Sequence, residues 1–427
     1  MIAVAFFIAL LLLISLGSPI GFAMAIVGGL GLLWAGGTDA LVIMLGSMPR
    51  ESAVVYEFVT IPMFLLMAEF VLRSGVTDDL FKAGAAWFGR IPGGLGIATA
   101  FSGAGFGAIC GSSSAAAATL SATSLPAMLK HGYEPRLAGG CVAISGTLAM
   151  LIPPSIAMVV YGLIAEVNIG RLLMAGVVPG ILVTLTIVIT VYTLVKLDPS
   201  RAPLSEPVAL TEKLRLLKSV LPVLLLFAAI TGVIYTGIAT PTEASALGAL
   251  LAGVLYVARG RASLPDLQVL VARAARTSCM FAIIILGAKL FAMVFALTHV
   301  TQDLIAWVGA LDVSPWTIML GLVLLYLVLG FFMDQMAILV LTVPIVAPLV
   351  SSLGFDLVWF GIIMIVVAEI GMVTPPVGLN CFIVSKYSKT PVSQIFRGSF
   401  PYVVTQLIAI AILLVFPQLT LWLPQNM

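Results

Sequence analysis

The chain has 427 residues, 61% of them apolar and only 9% charged, with a formal net charge of +2 and a mean hydropathy of +1.21. Soluble domains run near 45–50% apolar and about 25% charged, so a soluble fold is excluded, and recurring apolar runs of about 20 residues can each cross a hydrocarbon core of about 30 Å. The reading is an all-α polytopic membrane protein with no P-loop GxxxxGK[ST], no HExxH and no basic, aromatic-interleaved segment for nucleic acid.

The opening stretch "MIAVAFFIALLLLISLG" precedes the first basic residue, Arg50, and is read as a retained helix rather than a cleaved signal. Spans are predicted near 2–16, 19–35 and 53–73, all scaffold helices within 1–73. "TDDLFKAGAAWFGR" (77–90) is amphipathic and suits the membrane interface. Residues 93–130 form one Gly- and Ala-rich block with the polar tip "CGSSSA" at its centre. Each arm is short for a separate span, so a re-entrant hairpin is predicted, its tip enclosed by protein or water. The span 136–165 is broken by Pro153 and Pro154, since two successive prolines remove two backbone donors. A helix over 171–196 and a cytoplasmic linker at 200–216 follow. The second half reads the same way: scaffold helices within 217–298, a hairpin at 315–352, a helix at 356–386 broken by Pro375 and Pro376, and a last helix at 394–424.

The two halves match at one constant offset. Five of the eleven prolines before residue 205 meet a proline 222 residues on: Pro19 with Pro241, Pro126 with Pro348, Pro153 and Pro154 with Pro375 and Pro376, and Pro179 with Pro401. Gly132 and Gly176 likewise meet Gly354 and Gly398. Two structural repeats are predicted, 1–199 and 217–427. An odd number of crossings per repeat inverts the second relative to the first. Threading the chain accordingly puts seventeen of the twenty Lys and Arg residues, Arg261 among them, on one side. Arg50 and Arg171 fall on the other, and Lys289 within a span. The basic side is cytoplasmic. Both termini are then outside, hairpin 93–130 opens to the cytoplasm and hairpin 315–352 to the outside.

Inverted repeats with two opposed hairpins and two interrupted helices describe a secondary transporter, in which half-helix ends and free carbonyls near the midplane hold Na⁺ and anions. One cluster joins "GSSSAAAAT" (111–119) to "LAMLIPPS" (148–155); the other joins "GFFMDQMA" (330–337) to "EIGMVTPPVGLN" (369–380). The hydroxyls of Ser112, Ser113, Ser114 and Thr374, the Asn380 amide and unwound carbonyls are hard oxygen donors. Asp334 and Glu369 are intramembrane acids, either functional or structural hydrogen-bonding groups. Gly103, Gly107 and Gly111 read as close helix packing, Lys289 as a snorkelling cation, and Glu243 as a helix-start acid. Cys110, Cys141, Cys279 and Cys381 read as small buried hydrophobes rather than disulfides or metal ligands. His131 and His299 lie near predicted helix ends.

"GAGFGAICGSSSAAAATL", "LPAMLKHGYEPRLAGG", "LIPPSIAMVVYG", "GRLLMAGVVPG", "TPTEASALGA" and "VTPPVGLNCFIV" together resemble the large membrane subunit of TRAP (tripartite ATP-independent periplasmic) transporters over essentially the whole chain. The chain departs from the family pattern at Ala149, where Gly usually precedes Leu-Ile-Pro-Pro. The resemblance implies a bacterial inner-membrane permease importing organic acids (C4-dicarboxylates, sialic acid, keto acids) on an inward Na⁺ gradient, with two or more coupling ions and no nucleotide. It implies an elevator mechanism, a periplasmic substrate-binding protein that delivers substrate, and a small four-helix membrane subunit, expected as a separate chain. Carried over by position, one Na⁺ site involves Ser112 and Ser113 with carbonyls around Ala149, Ile152 and Pro154. The second involves Gly330, Gly371, Met372 and Thr374, with Asp334 nearby. The substrate carboxylate is expected between the hairpin tips, near Ser112–Ser114 and Thr374–Asn380. A stand-alone Na⁺/dicarboxylate symporter of related architecture and an ion or proton antiporter are the alternatives; an intramembrane enzyme lacks any paired nucleophile and base.

Overall fold

The computed structural model describes residues 2–260 and 262–427. Met1, at the start of the first predicted repeat, and Arg261, one of the cations assigned to the basic side, lie outside the described residues. Among the described residues every regular element is helical.

The chain opens with α1 (Ile2–Ser15) and α2 (Ile20–Val54). The span predicted at 19–35 is only the first limb of α2; Gly37 at φ 74° breaks it, and a second limb carries Pro49, Arg50 and Glu51. Those polar residues hide this limb from a hydropathy reading. Then come α3 (Thr60–Ser74) and the amphipathic α4 (Val76–Phe88), bent by 62° at Gly75. The first predicted hairpin is α5 (Gly94–Cys110) and α6 (Ser113–Lys130). The first broken span is α7 (Pro135–Thr147), a 3-10 turn at Leu148–Met150 and α8 (Ile156–Ala165). Next are α9 (Ile169–Ala175) and α10 (Val177–Leu197).

α11 (Leu210–Tyr235) starts inside the predicted linker, because its first turns carry Glu212, Lys213, Arg215 and Lys218 and do not register as apolar. α12 (Pro241–Ala258) starts on a capping box in which Glu243 and Thr240 exchange hydrogen bonds, as an acid in the first turn should. α13 (Leu264–Leu297) and α14 (Val300–Ala310) follow. The second hairpin is α15 (Pro315–Phe332) and α16 (Gln335–Ser352). α17 (Leu357–Gly371), α18 (Leu379–Ser388), α19 (Val392–Val415) and α20 (Gln418–Gln425) complete the chain, the last predicted helix being divided near Phe416 and Pro417. Shifted by 222, α5 and α6 become 316–332 and 335–352, against the observed Pro315–Phe332 and Gln335–Ser352.

Among the described residues eight helices are long and apolar enough to cross a membrane, or nine if the bent α3–α4 pair is one span. The protein is therefore a multi-pass membrane protein. Two packing groups position the site. In one, α13 lies along α2 and α3, while α12 packs on α3 and α11. In the other, α18 packs on α6 and α8 on α16, so the second half of each broken span meets the hairpin from the opposite half of the chain; α7 and α19 join them. Arg259–Asp79 (2.5 Å) and Arg73–Asp266 (2.8 Å) tie α12 to α4 and α3 to α13. All four cysteines are free; Cys141 and Cys381 are buried as expected, Cys110 is half-buried, and Cys279 is exposed.

Candidate functional site

Each hairpin tip is a helix C-terminus followed by a capped helix N-terminus. α5 ends at Gly111, whose φ of 59° favours glycine, and Ser112 begins α6, its Oγ accepting from Ala115 N (3.4 Å) and lying 3.3 Å from Ser114 Oγ. In the second hairpin Asp334 begins α16, its Oδ1 accepting from Met336 N (2.7 Å) and Ala337 N (3.3 Å). The first arms thus present carbonyls and the second arms present the positive ends of helix dipoles.

The breaks pack against these tips through residues without bulk. Gly107 faces the first break so closely that a Cβ there would stand 2.7 Å from Ala149 Cα. Gly330 faces the second break, where a Cβ would lie 2.8 Å from the Ala368 carbonyl oxygen and 2.9 Å from Gly371 Cα. Ala149, the departure from the family pattern, is fully buried in the right-handed 3-10 turn. Its methyl needs no special backbone angle. Ser155 Oγ bridges the first break, donating to Met150 O (2.5 Å) and accepting from Met158 N (3.4 Å). At the second break Thr374 Oγ1 donates to Ile370 O (2.7 Å), and Asn380 N donates to Met372 O (3.1 Å). Both Pro153–Pro154 and Pro375–Pro376 bonds are cis.

A cavity of ≈ 740 Å³ brings both tips together. Ser112, Ser113 and Ser114 line it from one side, Asp334 and Gln335 from the other, with Met150 and Met372 from the breaks. Of the predicted site residues, Thr374 and Asn380 do not line it. Asn380 is fully buried, its Nδ2 directed at Ala143 O (3.5 Å). Ile152 faces a separate apolar groove, Pro154 is buried, and Gly330 and Gly371 meet each other behind the second tip. Glu369 is buried, with Ser113 and Asp334 around it, yet neither carboxylate oxygen has a hydrogen-bond partner among the described residues. Both amide atoms of Gln335 are likewise unpartnered.

The family described as "Tripartite ATP-independent periplasmic transporter, DctM component" matches residues 7–419. The chain belongs to the TRAP transporter large-permease family. It is 36% identical over 376 residues to the C4-dicarboxylate TRAP transporter large permease protein of Pseudomonas aeruginosa, covering 88% of this chain and 87% of that one. It is 30% identical over 414 residues to the sialic acid TRAP transporter large permease protein of Vibrio cholerae, covering 96% and 95%. Among solved structures, the Alcanivorax borkumensis YdaH transporter shares the fold at a TM-score of 0.60, with 15% identity and 89% of each chain covered. Membership makes the chain a transporter component rather than an enzyme.

Three polar residues of this permease's cavity escaped the sequence reading. Arg276 of α13 had counted only as a cytoplasmic charge, yet it lines the same cavity as the hairpin tips and makes no ion pair among the described residues. Cys279, one turn on, lines it too, which accounts for its exposure. The signal was available for Arg276: it lies in "ARAARTSCM" (272–280), inside the helix that runs on to Lys289. Gln335 was passed over because an amide beside an acid draws less notice than the acid.

Proposed function

We propose that this chain is the membrane-crossing subunit of a Na⁺-coupled, binding-protein-dependent importer of an organic acid such as a C4-dicarboxylate or sialic acid. It acts in a bacterial inner membrane with a separate small four-helix subunit and a periplasmic binding protein. The observation that carries the reading is a cavity in which both hairpin tips meet Arg276, which makes no ion pair among the described residues. The N-termini of α6 and α16 and the Arg276 guanidinium are all attractive to a carboxylate, and the three serines supply hydroxyl donors.

Coupling ions fit the other face of the same tips. Thr374 Oγ1 uses its proton on Ile370 O, which leaves its lone pairs for a cation. Ser112 is loosely engaged at 3.4 and 3.3 Å, so its oxygen can turn to an ion held by break carbonyls. Glu369, unpartnered among the described residues, adds two carboxyl oxygens behind the second tip, where a bound cation would favour the ionised form.

The chain then comprises two inverted repeats. The matched helix boundaries of the two hairpins support this, as does the clustering of Arg73, Asp79, Arg259 and Asp266 at one end. The cavity is bounded by Ser18–Phe22 and Arg276, at the end assigned to the cytoplasm, so the hairpin body stands in an inward-facing position. Import is its elevator-like passage along the α2, α3, α12 and α13 group.

Reconstitution tests the reading. Proteoliposomes carrying this chain, the small subunit and the binding protein encoded beside it are expected to accumulate that binding protein's ligand only under an inward Na⁺ gradient. Na⁺-driven uptake by the chain alone would make it a stand-alone symporter. Cation exchange without any organic ligand, abolished by Glu369→Gln, would make it an antiporter, the reading that the unpartnered Glu369 favours.

A further inference from the structure

A second large recess lies away from the hairpin tips, between α4, α5, α10 and α11, with a volume of ≈ 600 Å³. Its walls are hydrocarbon. The two polar groups that reach it are already engaged: Thr184 Oγ1 donates to Gly180 O (2.7 Å), and Trp87 Nε1 to Lys213 O (3.4 Å). A polar solute would find no partner there. The groove runs from Leu217 to Phe227 along α11, about 15 Å at 1.5 Å per residue, which is one leaflet's share of a core about 30 Å thick. Its inner end reaches Ile152 and Pro153 at the first break.

Only one end of the groove is charged. Lys213 shares a face of α11 with Leu217, Val220, Leu224 and Phe227 by three- and four-residue spacing, so it stands over the mouth. Its Nζ lies 5.7 Å from the Trp87 ring centroid, and an indole prefers the headgroup level of a bilayer. Arg90 follows just beyond the end of α4. Neither cation forms an ion pair among the described residues. A comparable apolar groove between α3, α12 and the start of α13 differs on this point. Its neighbouring arginines, Arg73 and Arg259, are already paired with Asp266 and Asp79.

We propose that the groove between α4, α5, α10 and α11 is a binding site for an anionic phospholipid, one acyl chain lying in it and the headgroup resting on Lys213 and Arg90. The site is independent of the transport reading above and holds whichever solute the cavity carries. Because the chain end meets Ile152 and Pro153, the bound lipid touches the helix break directly.

The test uses the full chain with its small subunit in detergent, titrated with phosphatidylglycerol or phosphatidylcholine brominated on the acyl chain. Quenching of Trp87 fluorescence is isolated as the difference from Trp87→Phe. Phosphatidylglycerol is expected to bind more tightly than phosphatidylcholine, by roughly fivefold per cation and so about 25-fold for two. Lys213→Gln with Arg90→Gln abolishes the difference, while Lys213→Arg with Arg90→Lys retains it. Equal quenching by both lipids, a preference that survives the double glutamine variant, or no Trp87 quenching because the small subunit fills the groove, each overturns the proposal.

Discussion

Asp334 caps α16 through Oδ1, which accepts two backbone amides, and leaves Oδ2 without a hydrogen bond at the cavity wall among the described residues. Asparagine caps helices as well as aspartate does, whereas alanine costs about 1 kcal/mol. Asp334→Asn therefore keeps the tip folded and removes only the charge; Asp334→Ala removes both. If the charge helps hold a cation, its loss costs about 1.5–3 kcal/mol, the range for interactions with charged groups, or about ten- to hundredfold in apparent Na⁺ affinity. Thermal melts across Na⁺ concentrations read this without knowledge of the organic substrate, since ligand stabilises by RT ln(1 + [L]/Kd). The expected pattern is a wild-type melting temperature without Na⁺ for Asp334→Asn, with its Na⁺-induced rise displaced to higher concentration. An undisplaced Na⁺ response, with normal Na⁺-dependent uptake, refutes the reasoning.

Four further outcomes follow from the geometry. Thr374→Ala should raise the Na⁺ concentration for half-maximal uptake by about tenfold, while Thr374→Ser, which keeps the hydroxyl, should stay near wild type. Glu369→Met should raise the melting temperature in Na⁺-free buffer, because it removes two buried carboxyl oxygens that have no hydrogen-bond partner among the described residues; a fall there would mean that a structural bond holds the carboxyl group. Arg276→Gln should leave stability within about 0.5 kcal/mol, as expected for a residue outside the packed core, yet raise KM for uptake about tenfold or more. Gly330→Ala should destabilise by about 1–3 kcal/mol through overpacking, measured by denaturation, since its Cβ would sit 2.8 Å from the Ala368 carbonyl.

The hairpins and breaks were legible because each announces itself by a local conflict: serines, or Asp-Gln, inside an apolar block, and paired prolines inside a span. Ser112 and Asp334 accordingly start helices close to where composition placed the tips. Side-chain direction at an unwound segment was not legible. Thr374 and Asn380 carry suitable oxygens, but without helical periodicity nothing in the sequence tells which way they turn, and Asn380 turns toward Ala143. Charged helix ends were lost for a different reason. The start of α11 and the second limb of α2 are too polar for a span and too regular for a loop. Arg276 was the costliest omission, because a cation near a helix end has an adequate explanation in topology and its inward-facing neighbours come from chain far away.

The pairing of α6 with α18 has a consequence for synthesis. The polar tip at Ser112 emerges from the ribosome long before Leu379 begins its partner helix. At about 5–20 residues per second, the intervening stretch takes roughly 15–50 s to make. For that time the nascent first hairpin, if re-entrant as proposed, would hold three serines at membrane depth without the surface that later encloses them. The insertion machinery or a provisional neighbour must shelter it, and a ribosome stalled between the two halves leaves a segment fit for degradation rather than a half-working permease.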